Sequence, residues 1–502
     1  MNFFILILFS CALFSVSKGE SIRDVRDVFQ GLYFNDPASR SLYEYLDLSI
    51  DPCDNFYQFA CGEWIKTQKW KYKDYISFNI KNRNVNFNKF FKGKNFFVFI
   101  YLLLEFEEGK YNRESKAINN IYNLRDKCNR LPNVEIGKCK KEVLDFGTYA
   151  VSALFLKKNE IKSEQNGDYA LIEDMIERIK FELELLIDDK RDMFDEETRN
   201  YFLHKLKTMK FQKEYDLYEF SNIDQMENCY QNIGKIVFNL TSIKDALNYI
   251  RQVKNYRPME DHRFGFCNGE FFHPQKLVDS YVYGNAKYNN GQNYFSINSD
   301  YLNEPSFSIN FPLSLNYGYL GTAIAHEMLH AFDRKNYNRT FEGDNIINFN
   351  VTQMSVENFE EKSKCFVKQY DMQKESITNK NINGLQTLNE NIADNGGLKI
   401  AHRAYSRYLF TTADNDTIVR GFEKFTKIQL FFISFGRKRC EYRSKDSLEN
   451  SIRKSVHTPG EIRTNVALSN YKPFSEAFNC PLNSKMNPEN KCELWKNQKQ
   501  NQ

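Results

Sequence analysis

Gly321-Thr322-Ala323-Ile324-Ala325-His326-Glu327-Met328-Leu329-His330-Ala331-Phe332-Asp333 is an apolar stretch with a helical pattern and the motif His-Glu-x-x-His set into it. On a helix His326 and His330, four residues apart, share one face, so both imidazoles can reach a single Zn2+. Glu327 falls beside them, near the position a catalytic zinc leaves open, where it can take a proton from a metal-activated water. The bland alternative is a core helix with two chance histidines. With 7 His among 502 residues that coincidence is rare, and the metal reading is preferred.

A catalytic zinc needs a third protein ligand. Leu388-Asn389-Glu390-Asn391-Ile392-Ala393-Asp394-Asn395-Gly396-Gly397 offers Glu390 for the metal and, four residues on, Asp394 to stand behind a ligating imidazole and fix its tautomer. Taken alone, this segment reads as a solvated acidic face near a helix end.

Outward from these segments, the composition is that of folded protein: 41% hydrophobic, 15% aromatic, and 69 Lys+Arg against 65 Asp+Glu. A mainly disordered chain is excluded, and the net charge of +4 argues against nucleic acid as a partner. Phe3 to Val16 is apolar and ends among Ser15, Ser17 and Gly19, so residues 1–19 read as a secretory signal peptide, with no stable membrane insertion after cleavage. The alternative is an uncleaved anchor that makes a type II cell-surface protein. Phe96 to Leu104 is too short to span a bilayer. Loss of Cys11 with the signal leaves ten cysteines, and sequons at Asn239, Asn338, Asn350 and Asn415 fit the same secretory, glycosylated route.

Helical periodicity is plain over Ile172 to Ile187 and continues through 194–211, then returns at 320–332 and 386–440. Between 215 and 310 Asn, Gly and Asp are frequent, and short alternating runs such as Tyr294-Phe295-Ser296-Ile297 read as strands. There is no internal repeat, and residues 496–502 form a polar tail.

Together the two site segments resemble the neprilysin and endothelin-converting-enzyme family of zinc metallopeptidases, the M13 peptidases, in which His-Glu-x-x-His is followed about sixty residues later by Glu-x-x-x-Asp. Further matches are Asp51 to Trp64, Ser314-Leu315-Asn316-Tyr317-Gly318, Asn479-Cys480 and Lys491-Cys492-Glu493-Leu494-Trp495. The resemblance implies an α-rich α+β fold: a zincin-like, thermolysin-type (gluzincin) catalytic domain over 281–495 and a truncated helical region over 20–280, part of it packing on the catalytic domain. It implies one Zn2+ per chain on His326, His330 and Glu390. Glu327, Asp394 and His457 are then catalytic, with Asp333 supporting a neighbouring histidine. His457 matches a histidine that stabilises the oxyanion, Arg463 an arginine that holds a substrate carbonyl, and Asn285-Ala286 an edge-strand motif that binds the peptide backbone. The implied disulfides are Cys53 to Cys480, Cys61 to Cys440, Cys128 to Cys139 and Cys365 to Cys492, leaving Cys229 and Cys267 free to pair with one another.

The chain departs from the family by a shortage between Cys128 and Cys139, where the helical cover of the cavity is reduced, and by an unmatched stretch from Asn86 to Phe106. Lys287 replaces the aromatic expected after Asn-Ala, and Arg334 follows Phe-Asp. Lys438-Arg439 stand where apolar residues are usual; they either bias the pocket toward acidic or smaller side chains or reach out to solvent. The function expected is a secreted zinc metalloendopeptidase acting on short extracellular peptides. The rival is a secreted homologue that binds a peptide or partner without turnover.

Overall fold

The computed structural model describes residues 36–81, 115–213, 221–240, 242–255, 269–277, 285–342 and 345–495. The signal segment, Cys11, the 86–106 stretch, Cys267 and the polar tail lie outside the described residues.

Abundant aromatic side chains need partners, and in this chain they gather around two cores. The larger joins residues from both ends of the chain. Phe56 and Trp64, on the helix Phe56–Lys69, pack with Tyr319, Phe431, Phe432 and Phe474 from the second half. Full burial of each such ring contributes about 2 kcal/mol, so the early segment is held by the later one. Asn55 starts that helix by accepting from the Gln58 amide at 3.1 Å.

All four expected disulfides form, and two of them, Cys53–Cys480 and Cys61–Cys440, make the same connection covalent; Cys365–Cys492 lies within the later half and Cys128–Cys139 closes a short turn. Cys229 is also in a disulfide.

The smaller core lies among the helices Lys116–Lys127, Asn133–Asn166, Ile223–Asn239 and Ile243–Lys254, where Phe146, Tyr230 and Phe272 meet. The last two helices lie in the region read from sequence as loops and short strands. Their polar residues conceal a buried stripe, Met226, Tyr230, Ile233 and Val237 on one and Ile243, Leu247, Ile250 and Val253 on the other. The helices Asp168–Asp188 and Glu196–Thr208 belong to the larger core.

Strands are few and short. β1 (Tyr75–Ser77) pairs antiparallel with β7 (Glu441–Arg443). β2 (Lys210–Lys213), β3 (Ala286–Asn289) and β4 (Tyr294–Ile297) form a sheet in the order β2-β4-β3, so β3 is an edge. β4 runs parallel to β2 and antiparallel to β3, with Ala286 opposite Ile297 and Tyr288 opposite Phe295. β5 (Arg339–Glu342) and β6 (Asn345–Asn348) make a hairpin. The expected strand Tyr294 to Ile297 is β4, buried at all four positions. The result is an α-rich α+β architecture in which long helices carry the site and one sheet edge borders it. No helix among the described residues is long and apolar enough to cross a membrane.

Candidate metal centre

The His-Glu-x-x-His stretch is α-helical through its first four positions, His326 to Leu329. A short helix, Leu313–Asn316, leads into a π-turn over Tyr317–Gly321, then the α-helix Thr322–Leu329, and His330 opens a 3-10 turn that ends at Phe332. The second helix, Leu388–Thr411, brings Glu390 in its first turn and Asp394 one turn later. Gly396 and Gly397 let the two helices touch: a Cβ on Gly397 would stand 2.9 Å from the His326 nitrogen, and one on Gly396 2.5 Å from the Leu329 side chain. Backbone contact at this level is the local reason that two segments sixty residues apart can share one site.

At the crossing, Nε2 of His326 and Nε2 of His330 lie 3.1 Å apart. The Glu390 carboxylate comes within 3.2 Å of His326 and 3.6 Å of His330. These separations match the edge of a tetrahedron with bonds of about 2.0–2.1 Å, which is about 3.3 Å. Two ring nitrogens so close cannot both carry protons, and Glu390 Oε2 is buried without a well-directed hydrogen-bond donor. Two nitrogens and a carboxylate oxygen around one point are a donor set that suits Zn2+. Glu327 belongs to the same group, its carboxylate within 4.8 Å of both imidazole ligand atoms.

Behind the imidazoles stand two more carboxylates. Asp394 Oδ1 is 3.0 Å from His326 Nδ1, and Asp333 Oδ2 is 3.0 Å from His330 Nδ1. Each ring thus faces the shared point with Nε2 and a carboxylate with Nδ1, the orientation a metal-binding histidine requires.

Charge is distributed unevenly. Burial raises the Glu327 carboxyl above the usual range. Burial also opposes ionisation of Glu390, but the close approach of the His326 and His457 rings outweighs it and holds the carboxyl well below that range. Asp394 is buried too, yet Arg439 and Arg463 keep it ionised. Arg463 grips it with two bonds of 2.6 and 2.8 Å, and Arg439 donates to Oδ1. For His330 burial works downward, and the bond to Asp333 with nearby carboxylates pushes it up to about 9.

These side chains border a cleft of about 1030 Å³ that also takes in β3 and the segment around His457. His457 Nε2 is 3.0 Å from Glu390, with the side chain 48% exposed toward the cleft. Asn285 is exposed at the start of β3 and Ala286 is buried in it. Lys287 is exposed on the same strand, and Arg334 pairs with Glu360 at the surface. The asparagines of all four sequons are exposed.

Lys438 and Arg439 turn inward, so the solvent-seeking alternative is not what the fold adopts. Arg439 is spent on Asp394, and Lys438 Nζ donates to Thr322 Oγ1 at 2.8 Å. The part Arg439 plays beside Arg463 had no counterpart in the sequence reading. Its only signal was a cation next to Cys440, whose bridge to Cys61 pins it in place.

Comparison with known proteins agrees with this geometry. Residues 285–494 match the model of peptidase family M13. Neprilysin from Oryctolagus cuniculus is 41% identical over 212 residues, 42% of this chain and 28% of that protein. Neprilysin-1 from Trittame loki is 30% identical over 361 residues, 71% of this chain and 48% of that protein. The chain therefore spans less than half the length of either relative.

Two solved structures share the fold. The Haemonchus galactose-containing glycoprotein complex matches with a TM-score of 0.62 at 16% identity, over 93% of this chain and 99% of that one. The open state of Mycobacterium tuberculosis zinc metalloprotease Zmp1 matches at 0.50 with 18% identity, over 70% of this chain and 51% of that one. The paired histidines, Glu390 and Asp394 come together inside the matched region, so residues 285–494 of this chain are a region of the peptidase family M13 type.

Proposed function

We propose that this protein is a secreted zinc metalloendopeptidase that hydrolyses short extracellular peptides, with one Zn2+ per chain held by His326, His330 and Glu390. The observation that carries this reading is the convergence of those three side chains, with Asp394 and Asp333 behind the two rings. Glu390 rather than Glu327 is taken as the third ligand because its carboxylate lies 3.2 and 3.6 Å from the two imidazoles, at the third corner of the same face. When bound, the metal would supply Lewis-acid activation of water and of the scissile carbonyl.

The chain's own residues do the rest. Among the described residues β3 is an edge strand at the cleft, so a substrate can add as an extended strand, its backbone bonding to Asn285 and Ala286. Glu327, its proton affinity raised by burial, takes a proton from water and passes it to the leaving amine. His457 donates toward the oxyanion, an interaction contributing about 3 kcal/mol by analogy with other oxyanion donors. Arg463 serves first as the clamp on Asp394 and also presents a guanidinium edge to the cleft for a substrate carbonyl. The four disulfides and exposed sequons support an oxidising, extracellular setting.

Purified protein is expected to carry one zinc and to cleave peptides of a few to a few tens of residues. Glu327→Ala is expected to abolish cleavage while zinc stays bound. Bound zinc without hydrolysis across a diverse peptide library would instead favour the peptide-binding homologue.

A further inference from the structure

Lys438 is a cation at the wall of the catalytic cleft that no carboxylate among the described residues pairs at salt-bridge distance. Its Nζ is anchored on Thr322 Oγ1. That hydroxyl is itself oriented, donating to the Gly318 carbonyl at 2.7 Å, so its lone pair is left to receive the ammonium. Thr322, His326 and His330 follow at steps of four on one helical stripe, so the ammonium sits about one helical turn from the first imidazole.

Two carboxylates act on the ammonium from beyond salt-bridge distance, Asp394 and Glu327; Glu327 belongs to the metal group, and Asp394 is already committed. Both oxygens of Asp394 accept from Arg463, Oδ1 also from Arg439, and Oδ1 faces His326. A half-buried ammonium beside two guanidiniums, with no carboxylate at salt-bridge distance among the described residues, is electrostatically incomplete. Burial and the neighbouring guanidiniums push its proton affinity well below the ordinary lysine range, which an arriving anion would reverse.

We propose that Lys438 makes this cleft select a substrate carboxylate next to the scissile bond, supplied by a Glu or Asp side chain or by a peptide's own C-terminus. The inference deepens the peptidase reading and rests on it. The carboxylate completes an ion pair that no described residue makes, and Thr322 holds the ammonium in place so that little side-chain freedom is lost on binding.

The test uses peptides that differ only by Glu or Gln beside the cleaved bond, each made as free acid and as C-terminal amide. In wild-type protein the Glu peptide, or the free acid of a minimal peptide, is expected to show kcat/KM about tenfold or more above its neutral twin, the range of a charge-assisted hydrogen bond. The side-chain pair and the terminal pair separate the two sources of carboxylate. In Lys438→Met that ratio should fall toward one, and in Lys438→Arg it should persist; a purely structural lysine would change both twins alike and leave the ratio intact. A wild-type ratio at or below one, or a ratio unchanged in Lys438→Met, overturns the proposal. Absence of any cleavage would count against the peptidase reading alone, because binding of the same peptides to Glu327→Ala protein by fluorescence anisotropy reads the carboxylate preference separately. There the acidic peptide should bind about tenfold more tightly and lose that margin when Lys438→Met is added; equal binding of the twins overturns the proposal.

Discussion

Gly397 lies against the backbone of His326, with no room between them for a methyl group: a Cβ would approach the His326 nitrogen to 2.9 Å and its Cα to 3.1 Å. The contact is between backbones, so a larger residue has no flexible partner to displace. Gly397→Ala should force the Glu390 helix off the histidine helix, costing about 1–3 kcal/mol and lowering zinc affinity together. Chemical denaturation and zinc titration check both; a variant with wild-type stability and full zinc affinity would show that the crossing tolerates a shift.

Asp394 neutralises two guanidiniums while 1% exposed, with Arg439 7% and Arg463 19% exposed. Asp394→Asn would leave both cations short of their partner in the interior, and a loss of about 3–5 kcal/mol is expected. Adding Arg439→Met should restore part of it. Urea denaturation of the single and double variants measures the coupling, and strict additivity would mean that the two residues do not interact.

His402 introduces an acid sensitivity far from the cleft. It is buried, stacked on the ring of Phe432 and edge-on to Phe431, with Nδ1 2.9 Å from the Tyr471 hydroxyl. Burial lowers its pKa to about 4. The unfolded chain protonates it near 6.5, so between those values the unfolded state binds more protons and stability rises with pH. The contribution is complete above about pH 6.5 and is lost as pH falls toward 4, a span of about 3 kcal/mol. In His402→Gln the slope of unfolding free energy over that window should be shallower; an unaltered slope would assign the acid sensitivity elsewhere.

The Cys61–Cys440 bridge joins positions separated by 379 residues and immediately follows Arg439. Removing it with Cys61→Ala and Cys440→Ala should cost about 4–5 kcal/mol in the chain-entropy account. It should also loosen the Arg439 end of the site. Thermal unfolding and peptide cleavage rates together check this, with loss of stability and of rate expected in parallel.

The paired histidines were legible because helical spacing is a local property: His326, Glu327 and His330 needed only a helix, whereas Glu390 with Asp394 read alone as a solvated acidic face and gained a role only from the family resemblance. What joins the two helices was written in Gly396 and Gly397, but a glycine pair names no partner until the backbones meet. The helices Ile223–Asn239 and Ile243–Lys254 were obscured because polar residues dominate their exposed faces, while the buried stripe holds only about one position per turn. Arg439 and Lys438 illustrate a deeper limit. Adjacent cations on a chain look alike, yet one completes Asp394 and the other faces the cleft, and only the fold separates them.

X-ray absorption at the zinc edge of the purified protein tests the central claim most directly. Two imidazole nitrogens at about 2.0–2.1 Å and carboxylate or water oxygens at about 2.0–2.2 Å are expected, with the carboxylate contribution altered in Glu390→Gln. Sulfur neighbours at about 2.3 Å, or a spectrum that Glu390→Gln leaves unchanged, would contradict a centre built from His326, His330 and Glu390.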